Sequence, residues 1–366
     1  MEFTLADREH EPQLRALLGD SAMPGWVQLR FERDPDFFHA AATQGAATQV
    51  LAALDGESVV GMACRSTREV YVNGVVRTLG YLSGLRLRPS HRGATLLARG
   101  YGFLKSLHAD GSAPAYLTTI IEGNLPVRRL LTSGRAGLPR YLDMGRFFTF
   151  ALPLGSKRAS AGGDPIFEIR RAAASDLSGV VRFLAEHGSR RQFFPVVREA
   201  DFGTARWRQF DPRDLYLALG PGESIAGVAG CWDQSTYKQT RVNGYSPLVT
   251  FLRRPLNPAL RLMGWPELPD PGSLLRILNL CLVCVRDDNP LVLDALLTHI
   301  AGEHAVRGGG VLCVGLHESD PLCQALQRRR ALRYVSRLYW VCWDDGQKAF
   351  AELEPARVPY LEVATL

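Results

Sequence analysis

Long apolar runs, lysine and paired cysteines are all scarce in this 366-residue sequence. The longest obvious apolar run, Ile277–Val285, is interrupted by Asn279 and falls well short of the roughly 18 residues that a membrane span needs. Seven cysteines, an odd number, do not form a disulfide framework. The N-terminus has neither a basic start nor an apolar signal core. These absences predict no membrane partner and favour the reducing cytoplasm.

What is present is a globular composition with a mild positive charge. The length predicts two domains of roughly 150–200 residues each. The net charge is +6, and only four of the 43 basic residues are lysine. Such a charge suits anionic partners, including small molecules that carry phosphate. Aromatic and basic residues are not interleaved, so the pattern does not favour nucleic acid as a partner.

An internal repeat organises the chain. Leu51–Ala63 reads LAALDGESVVGMA, and Leu217–Ala229 reads LALGPGESIAGVA, at a constant offset of 166 residues. Val72–Gly74 recurs as Val242–Gly244 at an offset of 170. Later matches have larger offsets, 196 for Glu122-Gly123-Asn124 with Glu318-Ser319-Asp320 and 193 for Arg140-Tyr141-Leu142 with Arg333-Tyr334-Val335. One insertion of about 26 residues therefore follows Gly244 in the second copy.

These matches predict the domain boundaries. The first domain spans residues 1–152 and the second spans residues 166–366. Between them, residues 153–165 cluster Gly, Ser and Pro, which is typical of a linker. Residues 245–273, which carry six prolines, are the predicted insert of the second domain.

Each copy has the same predicted order of elements, here numbered in the first. Asp-Gly or Asn-Gly between two segments in which apolar and polar residues alternate indicates a hairpin. Apolar residues at positions i, i+3 and i+4 indicate a helix. Antiparallel strands come first and a strand–helix–strand unit follows, which is a mixed α/β plan. The predicted elements are a strand at 2–5, an amphipathic helix, strands at 49–54 and 58–65, a strand at 79–87, a helix at 94–108, a strand at 115–121, a helix at 126–132 and closing strands at 141–152.

The sharpest local signal is the turn between the strand at 79–87 and the helix at 94–108. The strand stops at Pro89, a short turn carries Arg92 and Gly93, and a helix begins at once. Unpaired N–H groups and the positive end of the helix dipole suit a pyrophosphate there. The alternative is an ordinary strand–turn–helix connection with a surface arginine.

This segment resembles the GNAT acyl-CoA N-acyltransferase superfamily, whose consensus is Val-x-Pro-x-x-Arg-Gly-x-Gly-x-Gly/Ala. Leu87, Pro89, Arg92 and Gly93 occupy the first four defined positions. Thr95 and Leu97 replace the two later glycines. The resemblance covers residues 2–150 well and, through the repeat, residues 167–345 more weakly. It implies two tandem GNAT-like domains in an α/β fold with a mixed sheet.

The resemblance also implies a donor site for acetyl-CoA or another acyl-CoA, without a metal. The pantetheine arm would lie between the splayed fourth and fifth strands, and the turn would bind the pyrophosphate. Asn124, just after the fifth strand, matches a family residue that contacts the cofactor. The implied cofactor-binding residues are Leu85, Leu87, Arg92, Gly93, Ala94, Thr95, Leu96, Leu97 and Asn124.

The catalytic groups implied by the resemblance match the family less closely. A backbone N–H at the splay, such as that of Leu87, would stabilise the oxyanion. Glu122 is the carboxylate placed to act as base, with a solvated or capping role as the alternative. The usual acid is a Tyr seven residues after the Asn, where this chain has Leu131. Tyr141 or Thr132 would then supply the proton.

The second copy has no such turn. Asp287 and Asp288 stand at the corresponding corner, where carboxylates would repel a pyrophosphate. We therefore expect no donor site there and a role as scaffold and as a wall of the substrate cleft. Cys281 and Cys284 are three residues apart on a predicted strand and point to opposite faces, which favours buried thiols over a metal site.

The sequence thus predicts an N-acyltransferase, most simply an acetyltransferase, acting on an amine of a small molecule or a protein. The alternatives are a non-catalytic acyl-CoA-binding sensor and, with less support, a basic nucleic-acid-binding protein. A homodimer of whole chains is left open.

Overall fold

A computed structural model describes residues 1–20, 25–135, 137–154, 167–262, 267–305 and 310–366. The strands in these ranges are β1 (Glu2–Leu5), β2 (Val27–Glu32), β3 (Ala47–Asp55), β4 (Ser58–Val72), β5 (Val75–Leu87), β6 (Tyr116–Ile121), β7 (Arg140–Pro153), β8 (Glu168–Arg171), β9 (Leu215–Leu219), β10 (Ile225–Asp233), β11 (Gln239–Tyr245), β12 (Leu274–Leu275), β13 (Ile277–Val285), β14 (Val311–His317) and β15 (Leu332–Cys342). The helices are α1 (Glu11–Gly19), α2 (Phe37–Ala42), α3 (Ala94–His108), α4 (Leu125–Leu131), α5 (Leu177–Gly188), α6 (Pro247–Leu262), α7 (Pro290–Glu303), α8 (Cys323–Gln327) and α9 (Gln347–Ala351).

One twelve-stranded sheet runs through the molecule in the order β1-β3-β4-β5-β6-β15-β7-β14-β13-β10-β9-β8. Read from one end, the strands are β1, β3, β4, β5, β6 and β15. Read from the other end, they are β8, β9, β10, β13, β14 and β7, which are the corresponding strands of the other copy. Strands β5 and β6 of the first half correspond to β13 and β14 of the second, and both pairs are parallel. The sheet is mixed and helices cover it, so the predicted α/β class is confirmed.

The two halves exchange their last strands at the centre of this sheet. Strand β15, from the end of the chain, pairs antiparallel with β6 of the first half. Strand β7, which ends the first half, pairs antiparallel with β14 of the second. The two exchanged strands also pair with each other over most of their length. The hydrogen-bonded ladder therefore crosses between the two halves three times.

A second, three-stranded sheet joins the halves again, in the order β12-β11-β2. It corrects one sequence match. Asn73 and Gly74 have positive φ angles and turn the hairpin between β4 and β5, as predicted. The similar segment Val242–Gly244 instead lies within β11, where Val242 is fully buried and pairs with Leu29. The two Val-Asn-Gly segments are therefore not equivalent.

Other predicted elements agree with the structure. Helix α3 spans the predicted residues, and the Asp55-Gly56 hairpin joins β3 to β4. The closing strands of the first half are a single long strand, β7. The sequence did not predict β2 or α2. The division into domains stays a prediction, because most of the 153–165 linker lies outside the described residues, and the insert at 245–273 contains α6 among its described residues.

Buried side chains lie on both faces of the sheet. On one face, Leu51, Leu82 and Ile120 of the strands pack against Leu97 of α3 and Leu131 of α4. On the other, Val50, Met62 and other residues pack against α1 and α2. None of the described helices combines the length and the apolar character required to cross a bilayer. The sheet thus has a helical layer on each side of the strands that carry the predicted site.

The strand exchange gives a prediction about chain integrity. If a protease site is placed in the 153–165 segment and cut, the halves should stay associated, because β7 and β15 each pair with strands of the other half. Native size-exclusion chromatography should show one species of about 40 kDa. The first half expressed alone should be poorly folded, since β6 loses its neighbour β15 and leaves an unpaired edge. Separation of the cut halves without denaturant would contradict the expectation.

Candidate functional site

The site predicted from the sequence lies where β5 and β6 separate. The two strands pair only through Gly80 with Tyr116 and Tyr81 with Leu117, although β5 continues to Leu87. Just beyond, the Thr118 hydroxyl donates to the Leu82 carbonyl at 2.8 Å. From there on the facing edges of the two strands have no ladder bonds between them. An extended chain could therefore pair with the exposed edge of β5.

A β-bulge in β5 accompanies this separation. Met62 pairs with Arg86 and Cys64 with Ser83, so Gly84 and Leu85 together stand opposite Ala63. Gly84 has a φ of 65°, a left-handed conformation that glycine adopts without strain. The Arg88 N–H donates to the Val60 carbonyl on the β4 side at 2.8 Å. By strand alternation, the N–H of Leu87 faces the gap.

The turn before α3 has the geometry that the sequence predicts. Gly93 precedes the helix with an extended backbone, and no side chain caps the helix start. Nothing lies within 4 Å of a Cβ added at Gly93, and Arg92 and Thr95 are exposed. The N–H of Leu97 already donates to the Gly93 carbonyl at 3.2 Å. The N–H groups of Gly93 to Leu96 are the ones left for a ligand, since the first turn of a helix has no internal acceptors for them.

Glu122 and Asn124 lie at the open end of the gap, directly after β6. The Glu122 carboxylate accepts a hydrogen bond from the Arg146 guanidinium at 2.8 Å and lies 3.4 Å from Arg337. The hydrogen bond from Arg146 lowers the pKa of Glu122. Asn124 is exposed at the start of α4, and its side chain makes no capping bond. Glu122 is therefore an ionised, paired carboxylate.

Tyr141 lies on the helical face beneath the gap. Its hydroxyl forms a short hydrogen bond with the hydroxyl of Tyr101 on α3. It packs on the apolar cluster that includes Leu82 of β5 and Ile120 of β6. Burial raises the pKa of Tyr141 well above its usual value and that of Tyr101 to about 12. Both phenols are therefore protonated at neutral pH.

A group of polar side chains lies on the face of the sheet away from α3 and α4, beside the part of β5 where the strands separate. The Ser83 hydroxyl donates to the side-chain oxygen of buried Gln44 at 2.9 Å, and Ser66 donates to the Gln44 carbonyl at 3.4 Å. The buried Arg68 guanidinium lies 5.2 Å from the Tyr81 ring and donates to the Thr365 hydroxyl at 2.9 Å. The sequence analysis missed this group, because its members come from distant segments without a local motif.

Lys238 lies beside this polar group. Its ammonium donates to the Ala364 carbonyl at 3.1 Å. Burial, and next the charge of Arg33, lower the pKa of Lys238 to about 7. Arg33 itself is buried, with one guanidinium nitrogen 4.0 Å from the sulfur of Cys64. Cys64 pairs with Ser83, next to the bulge, so two cations lie near the point where the strands separate.

The second half has the same gap and the same bulge, but the chain itself fills them. Strands β13 and β14 pair only at Ile277 to Asn279. The bulge stands opposite Ala229, and Leu282 has a φ of 51°. The Leu282 N–H donates to the buried Glu362 carboxylate at 2.9 Å, and the Val283 N–H donates to the Tyr360 hydroxyl at 3.2 Å. These bonds stabilise a left-handed conformation that leucine seldom adopts.

The corner of the second half carries ion pairs. Asp288 pairs with the buried guanidinium of Arg191, which also pairs with buried Asp320, and Asp287 lies 3.5 Å from Arg190. Each of the two carboxylates is therefore paired with an arginine of the same chain. Across the described ranges, no three His, Cys, Asp or Glu side chains are grouped as a metal site would require. Cys281 and Cys284 are buried thiols, and burial raises the pKa of Cys284 to about 12.

Comparisons with known proteins identify the fold. No family model and no curated protein sequence matches the chain. N-Myristoyltransferase of Saccharomyces cerevisiae with bound myristoyl-CoA has a TM-score of 0.58 and 11% identity, over 93% of this chain and 78% of that one. A second structure of the same enzyme, with myristoyl-CoA and inhibitors, has a TM-score of 0.58 and 11% identity, over 93% and 80%. A GCN5-related N-acetyltransferase from Anabaena variabilis has a TM-score of 0.49 and 12% identity, over 92% and 72%.

The likeness to N-myristoyltransferase covers nearly the whole chain and confirms the predicted α/β fold with a mixed sheet. At 11% identity this likeness establishes the fold alone. The roles of individual residues depend on the geometry of the site. The structure gathers Leu85, Leu87, Gly93, Glu122 and Asn124 around one gap. Tyr141 lies on the apolar cluster beneath it. Gly84 was missed, although a glycine inside a strand is a known signal for a bulge.

Lys238 gives a prediction for stability against pH. Its pKa is about 7 in the folded chain and 10.5 ordinarily, so between these values the unfolded chain binds more protons. The free energy of unfolding should then rise with pH, by up to about 1.4 kcal/mol per pH unit for this residue. Urea titrations of Lys238→Met should show a gain over the wild type that is largest below pH 7 and shrinks towards pH 10. Lys105→Met, at an exposed position of α3, is the control, and a gain independent of pH would contradict the assignment.

Proposed function

We propose that the chain is an N-acyltransferase that takes its acyl group from acyl-CoA bound in the first half, residues 1–152. One observation carries this proposal. In the first half, no carboxylate or hydroxyl of the described residues binds the bulge, where the Leu85 carbonyl accepts a hydrogen bond from the Arg86 guanidinium at 2.9 Å. In the second half, residues 166–366, the N–H groups of the equivalent bulge donate to Tyr360 and Glu362. The second half would then serve as a scaffold and as part of the acceptor cleft.

Donor binding follows from three features of the first half. The N–H groups of Gly93 to Leu96 and the exposed guanidinium of Arg92 would bind the pyrophosphate. The free edge of β5 at Leu85 and Leu87 would pair with the amides of the pantetheine arm. Asn124 lies at the end of the gap, within the same opening. The yeast enzyme of the same fold was solved with myristoyl-CoA, which supports an acyl-CoA donor whose acyl chain is acetyl or longer.

The second half indicates how the bulge would act in catalysis. There, the N–H groups of Leu282 and Val283 bind two oxygens, one of them a carboxylate oxygen. Gly84 and Leu85 occupy the same register in the first half, opposite Ala63. Their N–H groups, with that of Leu87 further along, would therefore stabilise the oxyanion that forms when an amine attacks the thioester carbonyl.

Proton transfer completes the proposed reaction. The acceptor amine must lose a proton before it attacks, and Glu122 is the carboxylate at the mouth of the gap that we propose as base. The departing thiolate must gain a proton, and Tyr141 is the proposed donor. Its hydrogen bond to Tyr101 orients the hydroxyl on the cluster that includes Leu82.

A second candidate function has one specific observation in its favour. The Glu122 carboxylate is occupied by two guanidinium groups, and the lowered pKa makes it a weaker base. A chain that binds acyl-CoA but lacks an effective base would be a sensor. Release of free thiol from acyl-CoA in the presence of amines distinguishes the enzyme from the sensor, because a sensor binds without turnover.

Donor binding gives the first test of this proposal. Acetyl-CoA or myristoyl-CoA at a hundred times its Kd should stabilise the fold by about 2.7 kcal/mol, measured as a rise in Tm. Arg92→Glu places a negative charge at the pyrophosphate site and should weaken binding by tenfold or more. Asp287→Ala, at the corner of the second half, is the matched control and should keep the full shift. No shift with either acyl-CoA would sink the proposal.

The role of Glu122 gives the second test. If it is the base, Glu122→Gln should lower kcat by about 10²–10⁴-fold while the Tm shift with acyl-CoA persists. Glu318→Gln removes a carboxylate that also accepts a hydrogen bond from Arg146, and should leave kcat within a few-fold of the wild type. Unchanged turnover in Glu122→Gln would exclude Glu122 as the base.

A further inference from the structure

A cavity of about 400 Å³ lies beside the polar face of the sheet. Both halves line it: α2 with the residues that follow it, β3 and β4 from the first half, and a loop at residues 198–206 from the second. Its apolar wall includes Phe38 and Val50, and its polar lining includes Thr48, Glu69 and Arg206. None of the donor-site residues described above belongs to this lining.

An arginine without an ion pair and two hydrogen-bond donors without partners lie on or next to the lining of this cavity. Across the described ranges, no carboxylate lies within ion-pair distance of Arg206. The Thr48 hydroxyl, on the lining, is buried without a hydrogen-bond partner, and so is the side-chain nitrogen of Gln44, which directly precedes the lining residue Gly45. Gln44 itself is fully buried. These two neutral donors are covered by protein, so the group of the lining that can meet a ligand is the Arg206 guanidinium, and a guanidinium favours a carboxylate or phosphate.

The acidic groups of the lining already have partners. Glu69 accepts a hydrogen bond from the Arg198 guanidinium at 2.6 Å, and Asp201 accepts one from the Arg198 backbone N–H at 2.7 Å. Burial, and next the charge of Arg68, lower the pKa of Arg206 to about 10, against the opposite effect of Asp201, Glu362 and Glu69. Arg206 therefore stays charged at neutral pH, and its guanidinium is the cation that the lining does not pair.

The cavity lies within reach of the strand gap. Thr48 on β3 pairs with Ser66 on β4, and Ser66 pairs with Tyr81 on β5. Tyr81 is the last paired residue before β5 and β6 separate. Neighbouring strands are about 4.8 Å apart, so the cavity floor at Thr48 is about 10 Å from β5. Arg68, 5.2 Å from the Tyr81 ring, lies on the same face between the two places.

We infer that the acceptor of the transferase is an amine that carries a carboxylate several bonds away from the nitrogen, such as an ω-amino acid, and that this cavity binds the carboxylate through Arg206. The inference rests on the proposed function. The amine nitrogen forms the new C–N bond to the acyl carbon as the C–S bond breaks with its electron pair leaving on sulfur. The ammonium form of the acceptor loses two protons in all, of which one goes to the thiolate and one to solvent.

Equilibrium binding tests this inference without any turnover. The probes are glycine, β-alanine and 6-aminohexanoate, each compared with its carboxamide, in the presence of saturating acetyl-CoA. At least one acid should raise the Tm and bind at least tenfold more tightly than its carboxamide. Arg206→Gln should remove this preference, and Arg206→Lys should restore part of it. No difference between any acid and its carboxamide would overturn the inference.

A control separates a specific site from a general effect of charge. Arg213→Gln removes an exposed guanidinium outside the cavity, paired with Asp211 at 3.0 Å, and should keep the preference for acids. The Tm of Arg206→Gln without ligand reports on folding. It should stay close to the wild-type value, because Gln removes both a desolvated charge without an ion pair and its contact with the Trp207 ring at 5.4 Å, and these two losses act in opposite directions. Equal loss of the preference in both variants would overturn the role of Arg206.

Turnover separates the failure of this inference from failure of the proposed function. The expected result is that the acids have the higher kcat/KM, and that Arg206→Gln acts mainly by raising KM. If acids and carboxamides release free thiol from acyl-CoA at equal rates, the transferase stands and the carboxylate site is wrong. If acids bind through Arg206 yet no amine releases thiol, the cavity stands and the transferase is wrong.

Discussion

The pairing of β7 with β15 is the constraint on which the rest of the molecule depends. Each of these strands ends one half of the chain, and each pairs outward with a strand of the other half. Because ladder bonds fix register and direction, the two parallel strand pairs are held at symmetric positions on either side of the centre. The two gaps therefore share one sheet face, on which segments from both halves can meet.

The two bulges show how one backbone geometry can carry two roles. Gly84 adopts the left-handed conformation without side-chain strain, so the first bulge needs no added bonds and its N–H groups can face a ligand. Leu282 adopts a similar conformation, and buried oxygens of Tyr360 and Glu362 bind the adjacent N–H groups. In the second half the N–H groups of the bulge thus bind oxygens, which is the arrangement that the proposed oxyanion site of the first half would use.

Local signals in the sequence predict much of the first half and of its donor site. Asp55-Gly56 and Asn73-Gly74 specify hairpins, and the break at Pro89 with Gly93 before an apolar helix specifies the turn. The exchange of strands is not predictable in this way. Segments 140–142 and 333–335 carry the same Arg-Tyr-aliphatic pattern, and alternation determines which face a strand buries but not which partner it pairs with. The cavity beside Arg206 likewise depends on a loop more than a hundred residues away from β4.

The bulge of the second half is bound by Glu362, a residue of the same chain. Because Glu362 is covalently part of the chain, its effective concentration at the bulge of the second half is fixed. Its binding there depends neither on the protein concentration nor on the concentration of free acyl donor. Under the proposed function, of the two gaps only that of the first half would then be open to a free donor. In the second half, one carboxylate and one hydroxyl from a single short segment are enough to make a nearly symmetric framework asymmetric in what it binds.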